Sequence, residues 1–182
     1  MKFKKNHNRN NMNQTLIKKI KKIKLVAVDV DGVLTDGGMY YSSKGDIMKK
    51  FHARDGMAVT LLKKNNIPTV IITKENTEIV KKWSLKMNVD KLFDLVKCKE
   101  KIIPKLCKSY NLVENNIAYI GDDVNDLEIM KKVGLSITPN DGISEIKKIV
   151  DYKCKKKGGE GTLREVCDLI ISVKFGKRKK LY

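Results

Sequence analysis

Two carboxylates separated by one residue, Asp29 and Asp31, close an apolar run and are followed at once by Gly32. Side chains alternate along a strand, so both aspartates leave the same face. At the carboxyl end of a buried strand such a pair can hold a hard divalent cation through oxygen. It can also divide labour, one carboxylate attacking as a nucleophile while the other, protonated, serves as an acid. Gly32 lets the backbone bend sharply at that point. A second acidic cluster, Asp122, Asp123 and Asp126, follows Gly121 at the end of another apolar run. It could share a cation with the first pair, and Mg²⁺, which keeps several waters, needs few carboxylates. Helix N-capping by Asp122 or Asp123 is the alternative use. Thr73 ends a third run, where a hydroxyl and the N–H groups of a following helix can hold a phosphate. Lys99 opens a helical pattern, where an ammonium could balance phosphate and carboxylate charge.

These side chains need a scaffold that brings strand ends together. Residues 24–30, 68–73, 116–121 and 135–138 are continuous apolar runs, as expected for strands buried on both faces of a parallel sheet. Between and after them, 55–66, 76–87, 99–110, 126–133 and 162–173 carry apolar residues at helical spacing. This alternation predicts an α/β domain with a doubly wound, mainly parallel, Rossmann-like sheet. Sites in such folds lie at the carboxyl ends of the strands. The segment 37–51 breaks the pattern and reads as a β-hairpin turning over Ser42–Asp46, inserted after the first strand. Its apolar residues Met39, Tyr40, Ile47, Met48 and Phe51 suit an interface, since an isolated two-stranded hairpin is marginal in water.

The chain has 182 residues, room for one compact domain, and a formal net charge of +18. Residues 1–24 hold nine lysines and arginines and no acid, and 174–182 hold five and no acid, which leaves +4 on the rest. The expected organisation is a basic extension over 1–23, a domain over 24–173 and a basic tail over 174–182. Basic extensions attract polyanions weakly. Aromatic side chains for base stacking are nearly absent there, so no specific nucleic-acid partner is expected. No apolar run approaches a membrane span, and the polar N-terminus lacks the apolar core of a secretory signal. Cys98, Cys107, Cys154 and Cys167 form no Cys-x-x-Cys pair, and neither His7 nor His52 stands at zinc-site spacing to them. A reduced, cytoplasmic protein is the expectation.

In this order the four chemical pieces resemble the haloacid dehalogenase superfamily of phosphatases, over roughly residues 24–172. Further stretches resemble its 3-deoxy-D-manno-octulosonate 8-phosphate phosphatase and acylneuraminate phosphatase families. These are the hairpin, Phe51-His52-Ala53-Arg54-Asp55-Gly56, Val133-Gly134, and Gly158-Gly159-Glu160-Gly161-Thr162-Leu163-Arg164-Glu165. The resemblance implies a fold without a large cap domain and a Mg²⁺-dependent phosphatase. Asp29 would attack phosphorus to form an aspartyl-phosphate, and Asp31 would protonate the leaving group and then activate water. Mg²⁺ would be held by the Asp29 carboxylate, the Asp31 main-chain carbonyl and Asp122. Thr73 and Lys99 would hold the phosphate, and counting back from Gly121 without gaps lands on Lys99 rather than Lys101. Arg54, Asp55, Gly56 and Asn125 would contact the substrate, a small phosphorylated sugar acid, with hairpin anchoring the alternative for Arg54 and Asp55. A homotetramer joined through its hairpins would close each site with a neighbour, and the basic C-terminal tail could reach one. His52 reads as a surface or subunit-contact residue.

The chain departs from the pattern where the family continues Thr-Gly-Arg and this sequence reads Thr73-Lys74-Glu75. Thr60 and Trp83 also stand where the octulosonate enzymes carry cations. A related nonulosonate phosphate is therefore an equal candidate substrate. A non-catalytic relative with a binding or scaffold role is the alternative function.

Overall fold

The computed structural model describes residues 13–176. The chain forms α1 (Gln14–Lys22), β1 (Leu25–Val28), a hairpin of β2 (Tyr40–Ser42) and β3 (Gly45–Met48), then α2 (Ala53–Lys64), β4 (Thr69–Ile72), α3 (Glu78–Lys86) and β5 (Lys91–Phe93). A 3-10 turn over Lys99–Ile102 leads into α4 (Ile103–Tyr110), followed by β6 (Ile117–Ile120), α5 (Leu127–Met130), β7 (Leu135–Thr138), α6 (Ser144–Ile149), β8 (Tyr152–Lys153) and α7 (Thr162–Phe175).

The six strands outside the hairpin form one parallel sheet in the order β5-β4-β1-β6-β7-β8. Its four central strands are buried at every position, which is why they read as unbroken apolar runs. The edge strands β5 and β8 are short and partly exposed, and their sequences carry no such run. The chain moves outward from β1 to β4 and β5, then returns to the other side of β1 with β6. The crevice between β1 and β6 is therefore the switch point where doubly wound sheets bind ligands.

Alternation along β1 divides its side chains between two cores. Val26, Val28 and Val30 join Ile20, Leu61, Val80, Val166 and Ile170 on the face covered by α1, α2, α3 and α7. Leu25 and Ala27 join Ile103, Leu106, Ile129 and Ile146 on the face covered by α4, α5 and α6.

The described part of the N-terminal basic stretch is a helix. Asn13 caps α1 by accepting from Thr15 N at 2.9 Å, and Ile20 and Ile23 are fully buried. Its lysines mask an amphipathic pattern whose apolar side packs on α7, and Lys19 pairs with Asp151. At the other end, Lys174 and Phe175 complete α7. Residues 1–12 and 177–182, the rest of the two basic stretches, lie outside the described residues. Among the described residues no helix is long and apolar enough to cross a membrane.

The hairpin forms a separate two-stranded sheet with a tight turn at Ser43–Lys44, and Gly45 adopts φ 101°, a conformation glycine takes freely. Met39, Tyr41, Ile47 and Met48 are exposed. Its base is clamped: Phe51 bridges to Thr35 through the backbone, and its ring stacks on Trp83 of α3 with centroids 4.7 Å apart. His52 caps α2, its Nδ1 accepting from Arg54 N at 3.2 Å.

Candidate active site

Asp29 continues the β1 ladder, its N–H donating to Ile120 O at 3.0 Å, and its side chain reaches the face of Leu25 and Ala27. There it meets Lys99, which is 1% exposed. The Lys99 ammonium lies 2.7 Å from Asp29 Oδ2 and 2.7 Å from Asp126 Oδ1. Asp126 Oδ1 also accepts from Tyr119 OH at 2.6 Å, while Oδ2 accepts from the N–H groups of Asp122 at 2.9 Å and Asp123 at 3.4 Å. Asp126 therefore ties Lys99, β6 and the turn after β6 together. Its fixed carboxylate is what places Asp122 beside Asp29.

One ligand oxygen from each of Asp29, Asp122 and Asp126 lies within 4.8 Å of the other two. Burial pushes the Asp29 carboxyl up to about 7 despite Lys99, with Asp126 adding to the rise. Burial also lifts Asp122 to about 8, reinforced by repulsion from Asp29 and Asp126. For Lys99, burial pulls the other way, but the two carboxylates outweigh it and hold the ammonium charged. Three carboxylates against one cation leave the site short of positive charge. Asp126 has both oxygens engaged, whereas Asp122 Oδ1 is buried with no hydrogen-bond partner. An all-oxygen donor set with an orphaned, buried carboxylate oxygen fits a hard divalent cation such as Mg²⁺. Gly32, at φ 82°, leaves the room this needs, because a Cβ there would stand 2.1 Å from Asp122 Oδ2.

Above these carboxylates a cleft of about 200 Å³ opens, lined by Asp29, Asp31, Thr73, Asp122 and Asn125, with Lys74 and Glu75 also on its wall. The hairpin side supplies Met39, Tyr41, Asp46 and Lys49. Thr73 is buried at the end of β4, its Oγ1 accepting from Glu75 N at 3.3 Å. Asp31 is a third exposed and pairs with Lys49 at 2.7 Å. Behind the Asp31 loop, Gly158 and Gly159 pack directly on the backbone. A Cβ on Gly158 would lie 2.1 Å from Gly32 O, and Gly159 N donates to Val33 O at 3.0 Å. The glycine-rich stretch before α7 is thus a backbone buttress for the turn after β1.

Of the residues singled out in the sequence, Asp29, Asp31, Thr73 and Asp122 meet in the cleft with Asn125, which the resemblance had implied, and Lys99 lies directly beneath. Arg54, Asp55 and Gly56 lie elsewhere in this chain. Arg54 is exposed on α2. Asp55 is fully buried, and its Oδ1 accepts from Arg164 N at 2.8 Å at the start of α7, burial lifting it to about 7. Gly56 is the contact point for Met87. Asp126, a member of the second acidic cluster, joins the site as expected, and two further residues belong to it, Tyr119 and Lys49. The Gly121-Asp-Asp-x-x-Asp126 spacing carried a signal for Asp126. Tyr119 reads as an ordinary strand residue, and Lys49 is one lysine among many.

A family model described as haloacid dehalogenase-like hydrolase matches residues 63–165. The chain is 33% identical over 156 residues to the 3-deoxy-D-manno-octulosonate 8-phosphate phosphatase KdsC of Escherichia coli strain K12, covering 86% of this chain and 83% of that one.

The chain belongs to the haloacid dehalogenase-like hydrolases.

Solved structures agree with the hydrolase's fold. That of the octulosonate phosphatase from Moraxella catarrhalis, in complex with magnesium ion, phosphate ion and KDO, superposes with a TM-score of 0.83 at 34% identity. The match covers 87% of the hydrolase and 91% of that chain. The cobalt-bound form of the Haemophilus influenzae phosphatase gives 0.83 at 32% identity, over 86% and 91%. The hydrolase shares their α/β fold, with a hairpin after its first strand.

Proposed function

We propose that this hydrolase is a Mg²⁺-dependent phosphatase acting on a phosphorylated ulosonic acid, either 3-deoxy-D-manno-octulosonate 8-phosphate or a related nonulosonate phosphate. The observation that carries the reading is the junction of Asp29, Lys99 and the unpartnered Asp122 oxygen at the floor of a cleft whose wall holds Asp31. Asp29 attacks phosphorus, the bond to the sugar oxygen breaks, and Asp31 gives that oxygen a proton. Asp31 then takes a proton from water as it attacks the aspartyl-phosphate, releasing phosphate and restoring Asp29. Lys99 fixes the attacking carboxylate, and Thr73 with the N–H groups after β4 receives the phosphate oxygens. Mg²⁺, held by Asp29, Asp122 and the Asp31 carbonyl, supplies charge neutralisation when bound. Phosphoryl transfer asks mainly for this kind of positioning and neutralisation.

Lys74 and Glu75 stand on the cleft wall, so the departure from Thr-Gly-Arg falls where a sugar acid would lie. The names and bound ligands of the relatives support the substrate class. The exposed apolar hairpin supports assembly through that sheet, a homotetramer in our reading, and four free cysteines support a cytoplasmic setting. A scaffold role has no use for the buried Lys99–Asp29 pair beside an orphaned carboxylate oxygen, and we do not favour it. The test is phosphate release from octulosonate and nonulosonate phosphates with Mg²⁺, using wild type and Asp29→Asn. Robust release lost in the variant is expected. A wild type inert on the whole panel, or a variant that keeps its rate, overturns the reading. Sedimentation of Ile47→Ser/Met48→Ser tests the assembly, which should fall apart.

A further inference from the structure

Asp31 is held by one oxygen. Both of its side-chain hydrogen bonds fall on Oδ1, which accepts from Lys49 Nζ at 2.7 Å and from Thr35 Oγ1 at 3.2 Å. Thr35 belongs to the same turn as Asp31, but Lys49 comes from the hairpin. The Lys49 side chain is only 3% exposed, and Asp46 Oδ2, at 3.4 Å, holds the ammonium from within the hairpin itself. Two residues further on, Phe51 pairs with Thr35 and stacks on Trp83, so the chain that carries Lys49 is anchored to both the Asp31 turn and α3. A lysine with a covered side chain on a hairpin whose apolar side chains are exposed, clamped at its base and aimed at one carboxylate oxygen, is poorly explained as hairpin packing. An ion pair on the surface would do little, whereas this one fixes the orientation of a group in the cleft.

We infer that Lys49 is the positioning residue for Asp31. Lys49 and Thr35 together tether Oδ1, and Oδ2 is therefore the oxygen that handles the proton. The inference rests on the phosphatase reading above. In the first step a proton leaves Asp31 Oδ2 for the sugar oxygen as its bond to phosphorus breaks and the Asp29–phosphorus bond forms. In the second step Oδ2 takes a proton from the attacking water as the Asp29–phosphorus bond breaks. Lys49 neither gains nor loses a proton in either. Without it, a carboxylate that is a third exposed would keep only the 3.2 Å bond to Thr35 and would rotate.

The test compares two substrates in wild type, Lys49→Met and Lys49→Arg. One is an alkyl phosphate of the sugar type, whose leaving oxygen needs a proton; the other is 4-nitrophenyl phosphate, whose leaving group departs as an anion. Lys49→Met should lower kcat on the alkyl phosphate by about 10²-fold, the usual cost of misplacing a reacting group, with little change in KM. On 4-nitrophenyl phosphate it should give a stoichiometric burst of nitrophenolate followed by slow turnover, because only the second step still needs Asp31. Lys49→Arg should recover most of the alkyl rate. Burst and alkyl-to-aryl ratio are read within one preparation, so a partly folded variant does not mimic them. Equal losses on both substrates without a burst, or a rise in KM at unchanged kcat, overturn the proposal. The latter would make Lys49 a grip on the substrate. A wild type inactive on both substrates refutes the phosphatase reading itself.

Discussion

Replacing Asp122 with Asn should stabilise the metal-free protein and, in the same stroke, remove its response to Mg²⁺. Asp122 shares its site with Asp29 and Asp126, the three ligand oxygens lying within 4.8 Å, and burial with their repulsion lifts it to about 8 from 3.8 for a free aspartate. The folded chain thus keeps a proton there that the unfolded chain gives up near pH 4. An acid raised in the folded state lowers stability as pH rises between its two values, by about 1.4 kcal/mol per pH unit, and the loss levels off above the folded value. From 3.8 to neutral pH this amounts to about 4 kcal/mol, as an upper figure, because water and small shifts relieve part of it. Asn removes the charge but keeps a buried amide, so a net gain of about 2 kcal/mol is expected between pH 7 and 8, or roughly 4–8 °C in Tm for a chain of this size. At pH 4.5 the gain should shrink to under about 1 kcal/mol. The assay is thermal unfolding in EDTA at both pH values, repeated in millimolar Mg²⁺, which stabilises only a protein that binds it. An Asp122→Asn protein less stable than wild type in EDTA at pH 8 would refute the electrostatic reasoning. Undiminished Mg²⁺ stabilisation of the variant would refute the metal site.

Lys99→Met leaves Asp29 and Asp126 facing each other with no buried cation, and should cost about 3–5 kcal/mol in urea unfolding, part of it recovered by Mg²⁺. Gly158→Ala drives a Cβ to within 2.1 Å of Gly32 O and 2.9 Å of Thr35 O, so the turn after β1 must move. A loss of about 2–3 kcal/mol is expected, with kcat falling more than KM rises. Asp55→Ala removes the acceptor for Arg164 N and should lower the unfolding free energy in urea by about 1–2 kcal/mol, whereas Asp55→Asn, which keeps an acceptor, should lose less.

The cleft was legible from the sequence wherever its residues end buried strands. Asp29, Thr73 and Asp122 each follow a run of apolar residues, and the parallel sheet then brings those ends together without further information. The hairpin showed itself by breaking the alternation. What stayed hidden were contacts between segments far apart in the chain. Lys49 looks like its neighbour Lys50 in the sequence, and only the hairpin's fold back over the turn buries one of them. The Arg-Asp-Gly segment suggested substrate contact, but α2 turns Asp55 inward, where the α7 N-terminus needs an acceptor. The lysines of α1 hid an apolar stripe of isoleucines, because composition outweighed period in a stretch without acidic residues.

The ring stack at the hairpin base has an optical consequence. Trp83 is the chain's one tryptophan, and it lies face to face with Phe51, two residues from Lys49. Any displacement of the hairpin changes what that indole touches, so its emission is an unlabelled gauge of hairpin position. Titrating phosphate or a sugar acid into the metal-loaded protein can therefore be followed in real time, with no tag or dye attached.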